Sequence, residues 1–179
     1  MKNTLFIAIL LFTFVGVYAQ KTLTPVDAGS KIHFVIKNFG INTGGDISGM
    51  LGAIKFNPAK PETSSISVTA AVKSIDTDNE KRDTHLQQDE FFNAEKYPVI
   101  SLESSKIEST NTQGTYMFTG TITIKGTSKP VHFPFTAVVK DDGYLFSGEF
   151  EINRRDYQVG GDSATMSDSV SISFSALSK

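Results

Sequence analysis

The feature that most narrows what this chain can fold into is a period-two alternation of apolar and polar side chains, met eight times after residue 30. It is cleanest at the C-terminus, where Val170, Ile172, Phe174 and Ala176 are interleaved with Ser169, Ser171, Ser173 and Ser175. The same rhythm runs through Ile32, Phe34 and Ile36, through Ile54 and Phe56 after a glycine-rich bend (Gly44, Gly45, Gly49, Gly52), and through Ile66, Val68, Ala70 and Val72. It resumes at Ile100 and Leu102, at Tyr116 to Ile124, at Val131 to Val139, and at Tyr144 to Ile152. A strand with one dry and one wet face belongs to an antiparallel sheet covered on one side only. Eight such strands predict either a closed barrel, wide enough to be filled by its own side chains or to hold one small ligand, or a two-sheet sandwich. Periodicity alone does not choose between them. Asn57 to Ser65 and Asn153 to Asp168 read as loops, and the second, carrying Gly160 and Gly161, is long enough to close one end.

The alternation stops in one long interval, Ser74 to Pro98, between the third and fourth strands. Thr77 with Glu80 three residues later has the capping-box spacing, and Asn79 to Gln88 contains neither glycine nor proline, so a short helix is expected there. Asp78 and Arg82 stand four apart with the acid first, and Arg82, His85 and Leu86 share a face. Asp89 is placed to cap a second turn holding Phe91 and Phe92, and Pro98 ends it. The insert reads as a lid with a charged rim and an apolar underside.

At the N-terminus, Lys2 precedes an apolar run from Thr4 to Val17, and Val17-Tyr18-Ala19 offers small residues where a signal peptidase reads. A cleaved leader over residues 1–19, cut between Ala19 and Gln20, is expected, with a periplasmic or secreted domain over 20–179. The run is shorter than the ~20 residues that span a bilayer, so no integral anchor is expected. Cleavage removes one lysine, taking the net charge from −2 to −3 with the histidines neutral. That balance, with its charges scattered, excludes a nucleic-acid partner held by bulk electrostatics. The absence of cysteine excludes disulfides, thiolate metal sites, cysteine nucleophiles and a lipidated N-terminal cysteine. Oligomeric state, a homodimer included, is left open.

Eleven phenylalanines follow the leader. Eight fall on the inward register: Phe34, Phe56, Phe118, Phe133, Phe135, Phe146, Phe150 and Phe174; Phe39, Phe91 and Phe92 fall in connections. Either they pack a solid core, or part of that interior lines a tunnel for a flexible hydrocarbon. Small inward residues (Gly52, Ala70, Gly120, Ala137, Gly148, Ala176) leave room for the second case. Gly120, between large neighbours, marks a place where a ligand or another backbone comes close. His33, His85 and His132 are the only histidines, and two lie on outward strand positions, so no metal site or cofactor is expected. There is no nucleophile elbow for a hydrolase. His85 beside Arg82 and Asp83 reads either as a helix-surface network or as a head-group contact. Arg154 and Arg155 point opposite ways on an extended chain, so only one faces the mouth; arginine suits a phosphate or quinone oxygen because its planar fork donates two hydrogen bonds at once.

Several stretches taken in order carry a resemblance: Ser74-Ile75-Asp76-Thr77, Arg82-Asp83 with His85-Leu86, Phe91-Phe92, Lys96-Tyr97-Pro98, Gly126-Thr127-Ser128-Lys129-Pro130-Val131, and Asn153-Arg154 with Asp156-Tyr157 and Gly160. The chain resembles the YceI-like proteins over nearly all of its length after the leader. The resemblance implies an all-β, eight-stranded antiparallel lipocalin-like barrel with a short helical insert between strands 3 and 4, enclosing an isoprenoid lipid or quinone. Lys125, where relatives often carry histidine, and Gln158, where glycine commonly follows the aromatic residue, are departures. On this reading the apolar tunnel is Phe34, Phe56, Phe118, Gly120, Phe133, Phe135, Phe146, Phe150 and Phe174, and the mouth is Phe39, Arg82, His85, Phe91, Phe92 and Arg154. The leading expectation is a non-enzymatic carrier. An enzyme acting on a lipid head group near His85, and a packed-core structural or stress-response module, are the alternatives.

Overall fold

The computed structural model describes residues 21–179, so the expected leader and its cleavage site lie outside the described residues. The strands are β1 (Thr22–Leu23), β2 (Lys31–Asn38), β3 (Ile41–Ile47), β4 (Leu51–Lys55) and β5 (Ser65–Ala71), then β6 (Val99–Ser109), β7 (Thr115–Ile124), β8 (Thr127–Lys140), β9 (Gly143–Asn153) and β10 (Met166–Ser178). Every pairing is antiparallel, and the strands form one sheet in the order β1-β4-β5-β6-β7-β8-β9-β10-β2-β3. Among the described residues no helix is long and apolar enough to cross a membrane.

The expected eight-stranded closed barrel is corrected to a ten-stranded half-barrel. Two extra strands arise because the glycine-rich strand breaks at Ser48–Met50, its first half (β3) pairing with β2 and its second (β4) with β5, and because β1 adds to β4. The ladder is also interrupted twice. β3 meets the segment after β5 through one bridge, Asp46 N–H to Asp76 O at 2.8 Å and the reverse bond at 3.0 Å. Gly45 permits this approach, since a Cβ there would sit 2.7 Å from the Asp76 oxygen. The second interruption lies between β8 and β9, which pair only from Phe135↔Gly148 to Lys140↔Gly143. Above that point residues 127–134 pair with β7 alone. Pro130 and Pro134 account for the split: a proline in a strand is tolerated where its missing N–H faces a neighbour that is not bonded to it.

The core fills from one end. At the end away from the insert, Phe56 packs edge-on against Tyr116, Tyr144 and Phe146 with ring centroids 5.0, 5.1 and 5.3 Å apart. Higher up, Phe118, Phe133 and Phe150 stack at 4.8 and 4.4 Å. Above them sit Ile122, Ile124, Tyr157 and Val159, which seal the split between β8 and β9 from within.

The insert contains one helix, α1 (Glu80–Leu86), about two turns long as expected but capped differently. Asn79 is the N-cap, its side chain accepting from the Arg82 N–H at 3.1 Å. The capping box at Thr77 does not form, because Asp78 turns the chain at φ 57 and places Thr77 one turn below the helix. There the buried Thr77 hydroxyl donates to Asp83 and accepts from Arg82 Nε at 2.7 Å. Arg82 is thus tied to Thr77 and not to Asp78. Asp89 likewise caps no backbone; its carboxylate holds the Asn93 amide, and the turn carrying Phe91 and Phe92 hangs from Gln88 and Leu86 carbonyls.

Candidate functional site

The half-barrel holds a cavity of about 210 Å³ between the aromatic end and the insert. Phe34, Phe118, Phe133, Phe135, Phe146, Phe150 and Phe174 stand on its wall, and from the insert Leu86, Phe91 and Phe92 cover it. Phe56 and Gly120 do not line it. Phe56 lies deeper, inside the aromatic plug, because inward register fixes the face of a strand and not the height along it. Gly120 serves a backbone: a Cβ there would be 2.1 Å from the Glu103 oxygen, where β6 bulges between Ser104 and Lys106. Of the small inward residues, Ala70 and Ala176 reach the cavity, whereas the space at Gly148 is taken by the Phe174 ring, 2.8 Å from where a Cβ would stand.

Three of the six residues expected at the mouth lie away from it. Phe39 projects into solvent at the tip of the β2–β3 hairpin, 75% exposed. Arg82 is consumed by Thr77, and the exposed His85 pairs with Glu90 and meets Phe91 edge-on with ring centroids 4.9 Å apart. Arg154 does reach the wall, 3% exposed, but as a clamp. Its Nε donates to the Ser167 carbonyl at 2.9 Å, one terminal nitrogen to the carbonyls of Val159, Gly160 and Gly161, and the other to the Met166 carbonyl and the Asp168 carboxylate, the last at 2.9 Å. All five N–H groups of the guanidinium are engaged, so none remains for a ligand. Arg155 turns outward to Asp162 and Asp168, and the two arginines part because Arg154–Tyr157 forms a 3-10 turn, not because the chain is extended.

The wall has a second population that a search for phenylalanine misses: apolar residues such as Ile36, Met50 and Leu102, and, between β9 and β10, Tyr157 and Val159 with Met166 at the start of β10. The first set shares the inward register and was findable by it; the second has no periodicity. Tyr157 is 2% exposed, and burial, with Asp156 nearby, pushes its phenol up to about 12. The two departures from the family pattern touch: Lys125 Nζ donates to the Gln158 carbonyl at 2.8 Å, and both residues have positive φ, 50 and 56.

On the outer face of the β3 bridge, His33 Nδ1 lies 2.6 Å and Lys31 Nζ 3.2 Å from the Asp46 carboxylate. Burial by itself raises the Asp46 carboxyl, but the hydrogen bonds from His33 and Lys31 outweigh it and hold the group below its ordinary value. Among the described residues no three histidines, aspartates or glutamates converge as a metal would require.

Comparison with known proteins agrees with this architecture. A UPF0312 protein of Ectopseudomonas mendocina is 29% identical over 182 residues, covering 96% of this chain and 95% of its own. Burkholderia cenocepacia BcnA has a crystal structure that superposes with a TM-score of 0.80 at 29% identity, covering 85% of this chain and 98% of that one. A domain from Saccharophagus degradans, described as polyisoprenoid-binding and implicated in plant cell wall breakdown, shares the fold at 12% identity and a TM-score of 0.70, over 88% and 97% of the two chains. The YceI-like domain model matches residues 23–177, from the end of β1 to within one residue of the end of β10. The chain therefore belongs to the YceI-like domain family.

Proposed function

We propose that the protein binds, stores or transports an isoprenoid-type lipid, a polyprenyl compound or an isoprenoid quinone, without chemically altering it, in the periplasm or outside the cell. The observation that carries the reading is a cavity walled by carbon, plugged by aromatic rings at one end and covered by Leu86, Phe91 and Phe92 at the other. Such a wall offers no directional contact to a head group and every advantage to a hydrocarbon, each buried methylene contributing roughly 0.8 kcal/mol. A chain therefore enters tail first and leaves its polar end at the insert. The polyisoprenoid-binding description of the Saccharophagus neighbour supports the same ligand class. At about 210 Å³ the ligand-free space is smaller than most ligand pockets, so a long chain fills it by displacing Phe91 and Phe92 or by leaving its last units outside. The head-group enzyme reading loses its motivation, because Arg82 and His85 are engaged by Thr77 and Glu90 on the surface. A void of this size counts against the packed-core module.

Native mass spectrometry of protein purified from its own host tests the proposal. Adduct masses separated by the C5H8 repeat are expected. Protein that is consistently empty, and that takes up neither polyprenol nor prenylquinone when these are supplied, refutes it.

A further inference from the structure

The hairpin joining β2 to β3 ends in an apolar tip that is left exposed among the described residues. Phe39 is 75% exposed and Ile41 69%. The tip is fastened to the rim of the cavity: Ile36 and Met166 line the wall, Met166 pairs with Asn38, and the Phe39 N–H donates to the Thr165 carbonyl at 2.8 Å. At ~3.3 Å per residue, Phe39 stands about 10 Å beyond Ile36, on the side of the insert. Its backbone is also unusual. Phe39 and Gly40 have φ of 52 and 75, the pattern of a two-residue turn that asparagine, aspartate or glycine fills without strain. A bulky aromatic residue at the first of those positions is strained and here three-quarters exposed, so the described fold gives little reason for its side chain.

The surrounding charge points to what the tip meets. From residue 32 through 45, Lys37 is the one lysine, arginine or carboxylate, and it is exposed; Asn38 and Asn42 flank the turn. An aromatic and an aliphatic side chain at the extremity, a lysine stem behind them and amides beside them reproduce the layering of a bilayer interface. There apolar groups sit below the phosphates and lysine reaches back to them. We infer that the Phe39–Ile41 tip docks on a phospholipid bilayer surface and holds the lid end of the cavity against it. This rests on the reading that the cavity takes an isoprenoid-type lipid, whose reservoir is the membrane. Exchange across water would require the whole chain to be hydrated, whereas exchange at a docked rim does not.

Flotation with phosphatidylethanolamine/phosphatidylglycerol vesicles tests this, using the full chain, a Phe39→Ser/Ile41→Ser variant, and a Val138→Ser/Val139→Ser control that removes exposed apolar side chains from the opposite end. All three should melt alike. The tip variant is expected to lose about tenfold or more in vesicle partitioning, the control nothing, and uptake of geranylgeraniol delivered from ethanol should be the same in all three. Absent flotation of the parent protein, equal flotation of the tip variant, or an equal loss in the control overturns the docking. So does a dimer seen by sedimentation that the tip variant abolishes without any flotation, since the tip is then a contact between two copies. Flotation that depends on Phe39 and Ile41, with geranylgeraniol taken up by none of the proteins, upholds the docking and overturns the cavity reading.

Discussion

Replacing Arg154 with methionine keeps most of the side-chain length and removes every donor, which separates a structural clamp from a head-group ligand. In the structure the guanidinium serves five backbone carbonyls and the Asp168 carboxylate. Those of Gly161, Met166 and Ser167 belong to residues with solvent access and are rehydrated when the donor goes, and so is half-exposed Asp168. Val159 and Gly160 are buried, and their carbonyls are left without a partner. Two orphaned buried acceptors at roughly 1–3 kcal/mol each give a loss of about 2–6 kcal/mol, which brackets the ~3–5 kcal/mol typical of removing one member of a buried charged pair. Arg154→Lys retains the charge but offers three donors from one point in place of a planar fork, so it falls between the two. Urea denaturation of ligand-free protein measures this directly. A methionine variant within about 1 kcal/mol of the parent that nevertheless fails to take up prenyl lipid would refute the clamp and restore Arg154 as a ligand contact.

Gly120→Ala and Gly120→Leu are both expected to destabilise ligand-free protein by ~1–3 kcal/mol or more, because the first added carbon already meets the Glu103 carbonyl; unchanged melting of either variant removes that explanation. Val68→Phe, on the cavity wall, should instead leave ligand-free melting equal or raised while abolishing lipid uptake, and a variant that melts early shows the space to be already filled. Asp46 titrates lower in the folded protein than its ordinary 3.8, so the unfolded chain takes the proton more readily. Its contribution is therefore complete above that value and is lost as pH falls through the lower folded one. Lower protection of the Asp46 and Asp76 amides, relative to the intrinsic exchange rate at each pH, is expected below about pH 4, with that pH dependence removed in Asp46→Asn; a slope that survives this change places its origin elsewhere.

Strand face was legible from alternation because the side-chain period is fixed by the pleat, and Phe133 and Phe150, put on one face by counting, do stack across β8 and β9. Depth was not legible: Phe56 has the same inward parity as Ile54, yet one plugs the end and the other lines the void, a difference set by strand tilt and not by local sequence. The helix was visible in a glycine- and proline-free stretch, but its cap passed from Thr77 to Asn79 because Asp83 and Arg82, brought round by the helix itself, claimed the Thr77 hydroxyl. Arg154 illustrates the same limit. Its inward side could be reasoned, whereas the carbonyls that saturate it belong to a loop with no periodic signal. One signal was present and unused: Pro130 and Pro134 in a long strand announce an edge.

That edge bears on how much the interior can hold. In a sheet whose ladder runs unbroken around its axis, girth is set by strand number and stagger, and widening it means breaking backbone hydrogen bonds in register. Here the hoop is slit along the upper part of β8 and β9 and fastened on the other side by one bridge at Asp46 and Asp76 and by the bonds of Ser48 to Ala71 and Ser74. The upper β6–β7–β8 panel can lean away from the β9–β10–β2 panel about the short hairpin at Lys140–Gly143 without losing a ladder bond. What resists is the packing of Tyr157, Val159 and Val131, the Phe133–Phe150 stack and the bond from Lys125 to the Gln158 carbonyl. On the proposed reading, the walls are two leaves on a spring hinge, and the volume they enclose is set by the guest and not by the ladder alone.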